Sequence, residues 1–278
     1  MFIEVMGGVL ANSLALLADA VHMVTDAASL ALALVAIWVA GKPPSAKRTF
    51  GFYRTEVLAA LLNALFLWGV AAWVFYEAYQ RLQNPPEVRG LIMMSVGAAG
   101  LLVNIAAAWV LLRSAGRSLN VRGAFIHVLG DLLGSIGVVV GGVLVITLGW
   151  TLADPIFGAA IGLLVLVSST RLLWDAMHVL MEGTPSQLNL DHLCRRMEQL
   201  EGVIGVHDLH VWSLTSDYHV LSAHVTTSAS SLEKRDHVLG RLRKVAATEF
   251  NIDHVTVQLE TSPLECEENH HVSHLGPA

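Results

Sequence analysis

Read for hydropathy alone, the chain divides in two. Up to about residue 184 it is a series of long apolar runs broken by short polar stretches. Beyond that point apolar positions recur at the spacings of soluble helices and strands. A membrane span needs about 20 apolar residues. The run over residues 1–40 is too long for one span and short for two. Gly7-Gly8 and Asn12-Ser13 offer a break, predicting a first helix that ends near Ala11 and a second from about Ser13 to Ala40. Runs at roughly 55–80, 91–113, 119–148 and 154–181 follow. The pattern therefore predicts an α-helical membrane protein of six transmembrane helices, the first incomplete, its start absent from this chain or upstream of Met1.

After Pro185 the periodicity changes. Leu190, Leu193, Met197 and Leu200 share one face of a helix over Asn189 to Leu200. Val203 to Leu214 and Tyr218 to Thr227 alternate as strands, Ser231 to Phe250 reads as a helix, and Val255 to Leu259 as a last strand. The order α-β-β-α-β predicts a small C-terminal α+β domain. The domains expected are a transmembrane domain over 1–184, the αββαβ domain over 185–262, and a flexible Cys/His-containing tail over 263–278.

Charge sharpens this division. Only 14% of the 278 residues are charged, and half of those lie after residue 184. Lys42, Lys47, Arg48 and Arg54 follow the second span, and Arg113, Arg117 and Arg122 follow the fourth. Only Arg81 and Arg89 follow the third, and no basic residue follows the fifth. The excess of cations marks the second and fourth loops as cytoplasmic, and the C-terminal domain with them. Two cysteines, Cys194 and Cys266, make no disulfide framework and suit a reducing compartment. The mildly acidic balance, without a basic patch, excludes nucleic acid as a partner. The apolar start lacks a basic leading segment, so no cleavable signal peptide is expected.

Candidate chemistry lies inside the spans. His22-Met23-Val24-Thr25-Asp26 in the second is echoed by His127-Val128-Leu129-Gly130-Asp131 in the fifth. Residues four apart share a helix face. Two such helices side by side would offer two nitrogens and two oxygens, a tetrahedral set suited to Zn²⁺ or a similar divalent metal. Charged groups at bilayer depth are costly and usually functional. Two alternatives remain: His–Asp hydrogen bonds that join helices, and a proton relay without metal. Asp19, one turn before His22, either faces the same cavity or caps the helix near the outer surface. Glu4, Glu56 and Glu77 read as interfacial or inter-helix partners, and Gly134, Gly137, Gly141 and Gly142 as a packing face. No Walker motif is present. The His-Glu-x-x-His of a membrane metalloprotease is missing too, so no enzyme is expected.

The pairs sit among further motifs: Asn12-Ser13-Leu14-Ala15-Leu16-Leu17-Ala18-Asp19-Ala20-Val21-His22, Arg48-Thr49-Phe50-Gly51-Phe52-Tyr53-Arg54, and Ser118-Leu119-Asn120-Val121-Arg122-Gly123. Together they resemble the cation diffusion facilitator family, and within it the bacterial zinc-exporting branch, over nearly the whole chain. The N-terminus departs from the family, which has a cytoplasmic segment and a full first span. The long His-rich loop of many eukaryotic members is also missing. The resemblance implies a homodimeric metal/proton antiporter of the bacterial inner membrane, with His22, Asp26, His127 and Asp131 as the transport site. It implies Zn²⁺ as cargo, with Co²⁺ or Cd²⁺ as further candidates, a role in metal resistance, and a ferredoxin-like fold for the cytoplasmic domain. The alternative is a zinc-binding membrane sensor or partner subunit that does not itself transport.

By the same resemblance, His207, His224 and Glu260 form a candidate cytoplasmic zinc site. Gln258 stands where relatives with that site have His, which argues against a full copy of it. His192, His210, His219, His237 and His254 read as ordinary histidines. In the tail, Cys266, His270 and His271, with His274, offer a candidate weak metal site against the plainer reading of an acidic disordered end. Cys194 is expected to pack in the core of the small domain.

Overall fold

The computed structural model describes residues 1–114 and 119–261, with side chains over 1–113 and 124–261. Helices come first: α1 (Phe2–Ala11), α2 (Leu14–Ala40), α3 (Thr55–Gln83), α4 (Gly90–Ser114), α5 (Leu119–Leu148) and α6 (Ala153–Leu180). Then follow α7 (Leu190–Glu198), β1 (Val203–Thr215), β2 (Tyr218–Thr227), α8 (Leu232–Phe250) and β3 (His254–Glu260). Helices α2 to α6 are long and apolar enough to cross a membrane, and α1 is a shorter apolar helix. The division between α1 and α2 is chemical as well as hydropathic. Asn12 takes the left-handed conformation, φ 52°, which Asn tolerates better than most residues, and its N–H returns to the carbonyls of Gly8 and Val9.

Residues 1–35 and 59–173 form one compact unit. Its core includes Ala15, Leu16, Val74, Met93, Val138 and Ile161. Small residues set its helix contacts, as expected where van der Waals packing rather than the hydrophobic effect joins helices. A β-carbon on Gly97 of α4 would lie 2.6 Å from Val138 Cγ1 of α5, and one on Gly142 of α5 only 3.0 Å from the Met94 backbone. Gly137 and Gly141 face Phe157 of α6. The expected packing face is therefore occupied by neighbouring helices.

The second unit comprises residues 36–58 and the chain from Trp174 onward. Its sheet has the order β1-β2-β3, with β1 and β2 antiparallel and β3 parallel to β2. Parallel neighbours need a crossover, and α8 supplies it. Leu193 and Met197 of α7 and Leu242 of α8 pack with Leu221 and Ile252 in a core where Cys194 is half-buried. Both helices are capped: Asn189 accepts from His192 N–H at 2.8 Å and Ser231 from Lys234 N–H at 3.3 Å. The connector between α2 and α3 belongs to this unit. Tyr53 stacks on Tyr218 with ring centroids 4.7 Å apart, Phe50 meets His254 edge-on, and Arg54 pairs with Glu182 at 2.7 Å.

One expectation about charge needs correction. Arg81 is not a loop cation but lies inside α3, its side chain 11% exposed and bonded to Glu77, one turn away. Helix α3 runs further than its apolar stretch, because helix hydrogen bonding does not stop where hydropathy does.

Candidate metal centre

Four residues from two helices converge in the membrane unit. Within each helix the i, i+4 spacing stacks His over Asp, at 3.8 Å for His22 Nε2 to Asp26 Oδ2 and 3.9 Å for His127 Nε2 to Asp131 Oδ2. The shorter contacts run between the helices: His127 Nε2 lies 3.2 Å from Asp26 Oδ2, and His22 Nε2 lies 3.4 Å from Asp131 Oδ1. The two rings meet edge-on with centroids 6.0 Å apart. The four side chains predicted from spacing are thus brought together crosswise.

The donors are only in part satisfied by one another: His127 Nε2 and Asp26 Oδ2 form a hydrogen bond. His22 Nδ1 and Asp131 Oδ1 are buried without a hydrogen-bond partner. Ligand atoms of His22, Asp26 and Asp131 lie within 4.8 Å of one another, and His127 adds a second imidazole through Asp26. Two imidazoles and two carboxylates are donors of the kind that a divalent cation takes.

Asp19 belongs to the interior and not to the outer surface. It is 3% exposed and accepts from the Ser135 hydroxyl at 3.3 Å, which in turn accepts from Asn104 Nδ2 at 2.9 Å. Glu4 is also buried, its carboxylate against Gly100, which places it between helices and not at an interface. Glu77 pairs with Arg81 at 2.9 Å, and Glu56 accepts from Ser216 at 3.1 Å. The carboxylate that does cap α2 is Asp154 of α6, which sequence reasoning passed over. Its only signal was a lone acid opening an apolar run.

A second cluster lies on the sheet. His207 and His224 are register partners on β1 and β2, and Glu260 ends β3. Glu260 Oε1 is 2.8 Å from His224 Nδ1, and Glu260 Oε2 is 3.2 Å from His207 Nε2. His207 Nε2 and Glu260 Oε2 are buried without hydrogen-bond partners. Gln258 donates to Glu260 at 3.0 Å. Asp208, which the sequence did not suggest, sits beside the cluster at a β-bulge with φ 50° and lies 3.9 Å from His224 Nε2. Of the histidines read as ordinary, His210 pairs with Asp208, His219 with Ser213, and His192 packs edge-on against Phe250. Cys266, His270 and His271 lie outside the described residues.

Apolar helices of spanning length with a His/Asp cluster between two of them, followed by a small α+β domain, define a multi-pass membrane protein. Residues 1–181 match the family model of the cation efflux transmembrane domain, and residues 185–262 that of the cation efflux protein cytoplasmic domain. The metal cation efflux system protein CzcD of Cupriavidus metallidurans is 43% identical over 262 residues, 94% of this chain and 83% of that protein. The zinc transporter ZitB of Escherichia coli is 41% identical over 280 residues, 98% of this chain and 88% of that protein. A cadmium, cobalt and zinc/H⁺-K⁺ antiporter of Bacillus velezensis is 42% identical over 272 residues, covering 94% and 84%. A solved metal-bound C-terminal domain of CzcD matches 26% of this chain and 99% of its own, at 34% identity and a TM-score of 0.24. The chain belongs to the cation efflux family, the cation diffusion facilitators. It is a metal cation efflux transporter with a cytoplasmic C-terminal domain.

Proposed function

We propose that the protein exports Zn²⁺ from the cytoplasm in exchange for protons, through a tetrahedral site made by His22, Asp26, His127 and Asp131. The single observation that carries this reading is the crosswise convergence of the two His-x-x-x-Asp pairs, with the buried Asp131 Oδ1 left without a hydrogen-bond partner among them. The mixed nitrogen and oxygen set favours Zn²⁺, with Co²⁺ and Cd²⁺ as further cargo. The names of the relatives, a zinc transporter and a cadmium, cobalt and zinc antiporter, support the same cargo class.

Coupling follows from the donors. Zn²⁺ requires neutral imidazole and ionised carboxylate, so metal and protons compete for the same atoms. A site open to a neutral cytoplasm loads metal and releases protons. The same site open to a more acidic outside takes up protons and releases metal. Because each helix holds one half of the ligand set, relative motion of α2 and α5 can dismantle it. We read residues 1–184 as the transport domain and 185–262 as a cytoplasmic domain that binds a second zinc at His207, His224 and Glu260. The small size of that domain makes a homodimer favourable.

Liposomes containing the purified protein test this reading, with one dye for internal zinc and another for internal pH. Zinc flux that drives opposite proton flux, and that reverses with the pH gradient, is the expected result. Zinc flux indifferent to pH on either side refutes proton exchange.

A further inference from the structure

The membrane unit holds, at the start of α6, a buried charge that the transport site does not use. Asp154, in the first turn of α6, is 0% exposed. Its Oδ1 accepts from the Ser13 hydroxyl at 2.6 Å and from Ala15 N–H at 3.1 Å, and its Oδ2 accepts from Leu14 N–H at 2.8 Å. Ser13 in turn accepts from Leu16 N–H at 3.1 Å. The first N–H groups of a helix have no partner within it. Here those of α2 are taken up by a carboxylate from another helix, helped by Ser13. A negative charge at that position is also favoured by the helix dipole.

A buried carboxylate still needs a cation, and α3 provides one. Arg81 Nη1 lies 3.5 Å from Asp154 Oδ2 and donates to the Asn12 carbonyl at 2.7 Å, while Nη2 reaches Asn12 Oδ1 at 3.3 Å. One ion pair thus ties together the end of α1, the start of α2, α3 and α6. Helix α5 has no part in it and is seated on α4 through Gly97 and Gly142. The α2 half of the ligand set, His22 and Asp26, thus has an anchor of its own in the Asp154 node, beside the Asp19–Ser135 contact that ties α2 to α5. Eight residues separate Leu14 from His22, about 12 Å along the helix. Over so short a rigid span, a change in the rotation or height of the α2 terminus reaches His22 almost undiminished.

We infer that Asp154, with Arg81, is the positioning residue for the α2 half of the transport site, setting the register at which His22 and Asp26 meet Asp131 and His127. This rests on the reading of those four residues as the metal site. Groups that orient metal ligands without touching the metal typically change affinity by about 10- to 100-fold when altered.

The test replaces zinc with Co²⁺, whose visible absorption reports ligand geometry, in full-length protein carrying His207→Ala and His224→Ala so that the cytoplasmic cluster is silent. Asp131→Asn in this background defines which part of the spectrum belongs to the membrane site. If that substitution leaves the spectrum unchanged, the reading of the four residues fails, and the inference with it. If it removes the band, Asp154→Asn decides. The inference expects a shifted or weakened band per bound Co²⁺ and affinity lower by about 10-fold or more. A band and affinity equal to the parent, with only a lower melting temperature, overturn it, because capping alone would lower stability without moving the ligands. Should Asp154→Asn not yield folded protein, Ser13→Ala is read the same way. It removes one of the three hydrogen bonds to the carboxylate and keeps the other two.

Discussion

His127 Nε2 stands closer to Asp26, across the helix pair, than to Asp131 one turn along its own helix: 3.2 Å against 3.9 Å. Each imidazole thus makes its shorter carboxylate contact on the other helix, so the cluster is a joint between α2 and α5 rather than two self-contained pairs. Asp26→Asn keeps the shape of the side chain and removes the charge that a divalent cation needs. Zinc flux in liposomes is expected to fall to background, and affinity by at least the roughly 10-fold that even an outer partner of a metal ligand is worth. Transport by Asp26→Asn at the parent rate would remove Asp26 from the site.

The cytoplasmic cluster lends itself to a gain of function. Gln258 is the register partner of His224 and donates to Glu260, so it occupies the place of a fourth ligand without being a good one. Gln258→His would complete a set of three imidazoles and a carboxylate. Zinc bound by the full-length protein should then be held at least about 10-fold more tightly at this site. His207→Ala with His224→Ala should lower the zinc bound per chain by one. Titration with a competing chelator measures both, and equal stoichiometry in the double variant would show that the cluster holds no metal.

Much of this was legible from the sequence, for definable reasons. Spans and helix ends follow hydropathy and the Asn12-Ser13 break, both local properties. The membrane ligands were legible because i, i+4 spacing fixes a shared face before any packing is known. Asp154 was not, because its partners, two backbone N–H groups, the Ser13 hydroxyl and Arg81, lie far away in sequence, and a backbone donor leaves no mark there. Arg81 was misplaced in a loop for the same reason, its role depending on Asn12 and Asp154 from other helices. Asp208 was missed because only the bulge, with its left-handed backbone, brings it beside His224.

Cys194 offers a chemical check on the small domain. Burial pushes its thiol up, and the neighbouring Glu198 and Asp191 add to that by opposing a second negative charge. The thiolate is the reacting form, so a raised thiol is less reactive at neutral pH than an ordinary one of about 8.5. Alkylation of Cys194 by iodoacetamide, followed by peptide mass, should be slow at neutral pH. Its rate should climb through a midpoint above that ordinary value. A midpoint at or below it would contradict the packing described for α7.

The seat of α5 on α4 can be probed from both sides. A β-carbon at Gly97 would lie 2.6 Å from Val138 Cγ1, a distance that real side chains essentially never show. Val138 is β-branched and fully buried, so it cannot turn away cheaply. Gly97→Ala should therefore push the helices apart and destabilise the protein by about 1–3 kcal/mol, the usual cost of overpacking. It should also weaken zinc transport, because His127 and Asp131 ride on the displaced helix. Val138→Ala added to Gly97→Ala removes both valine methyl groups, the clashing one included, against the one methyl gained at position 97. The double variant should recover most of the stability and transport lost. Thermal unfolding in detergent and zinc flux in liposomes measure the two effects. A double variant no better than Gly97→Ala alone would mean that the contact does not set the position of α5.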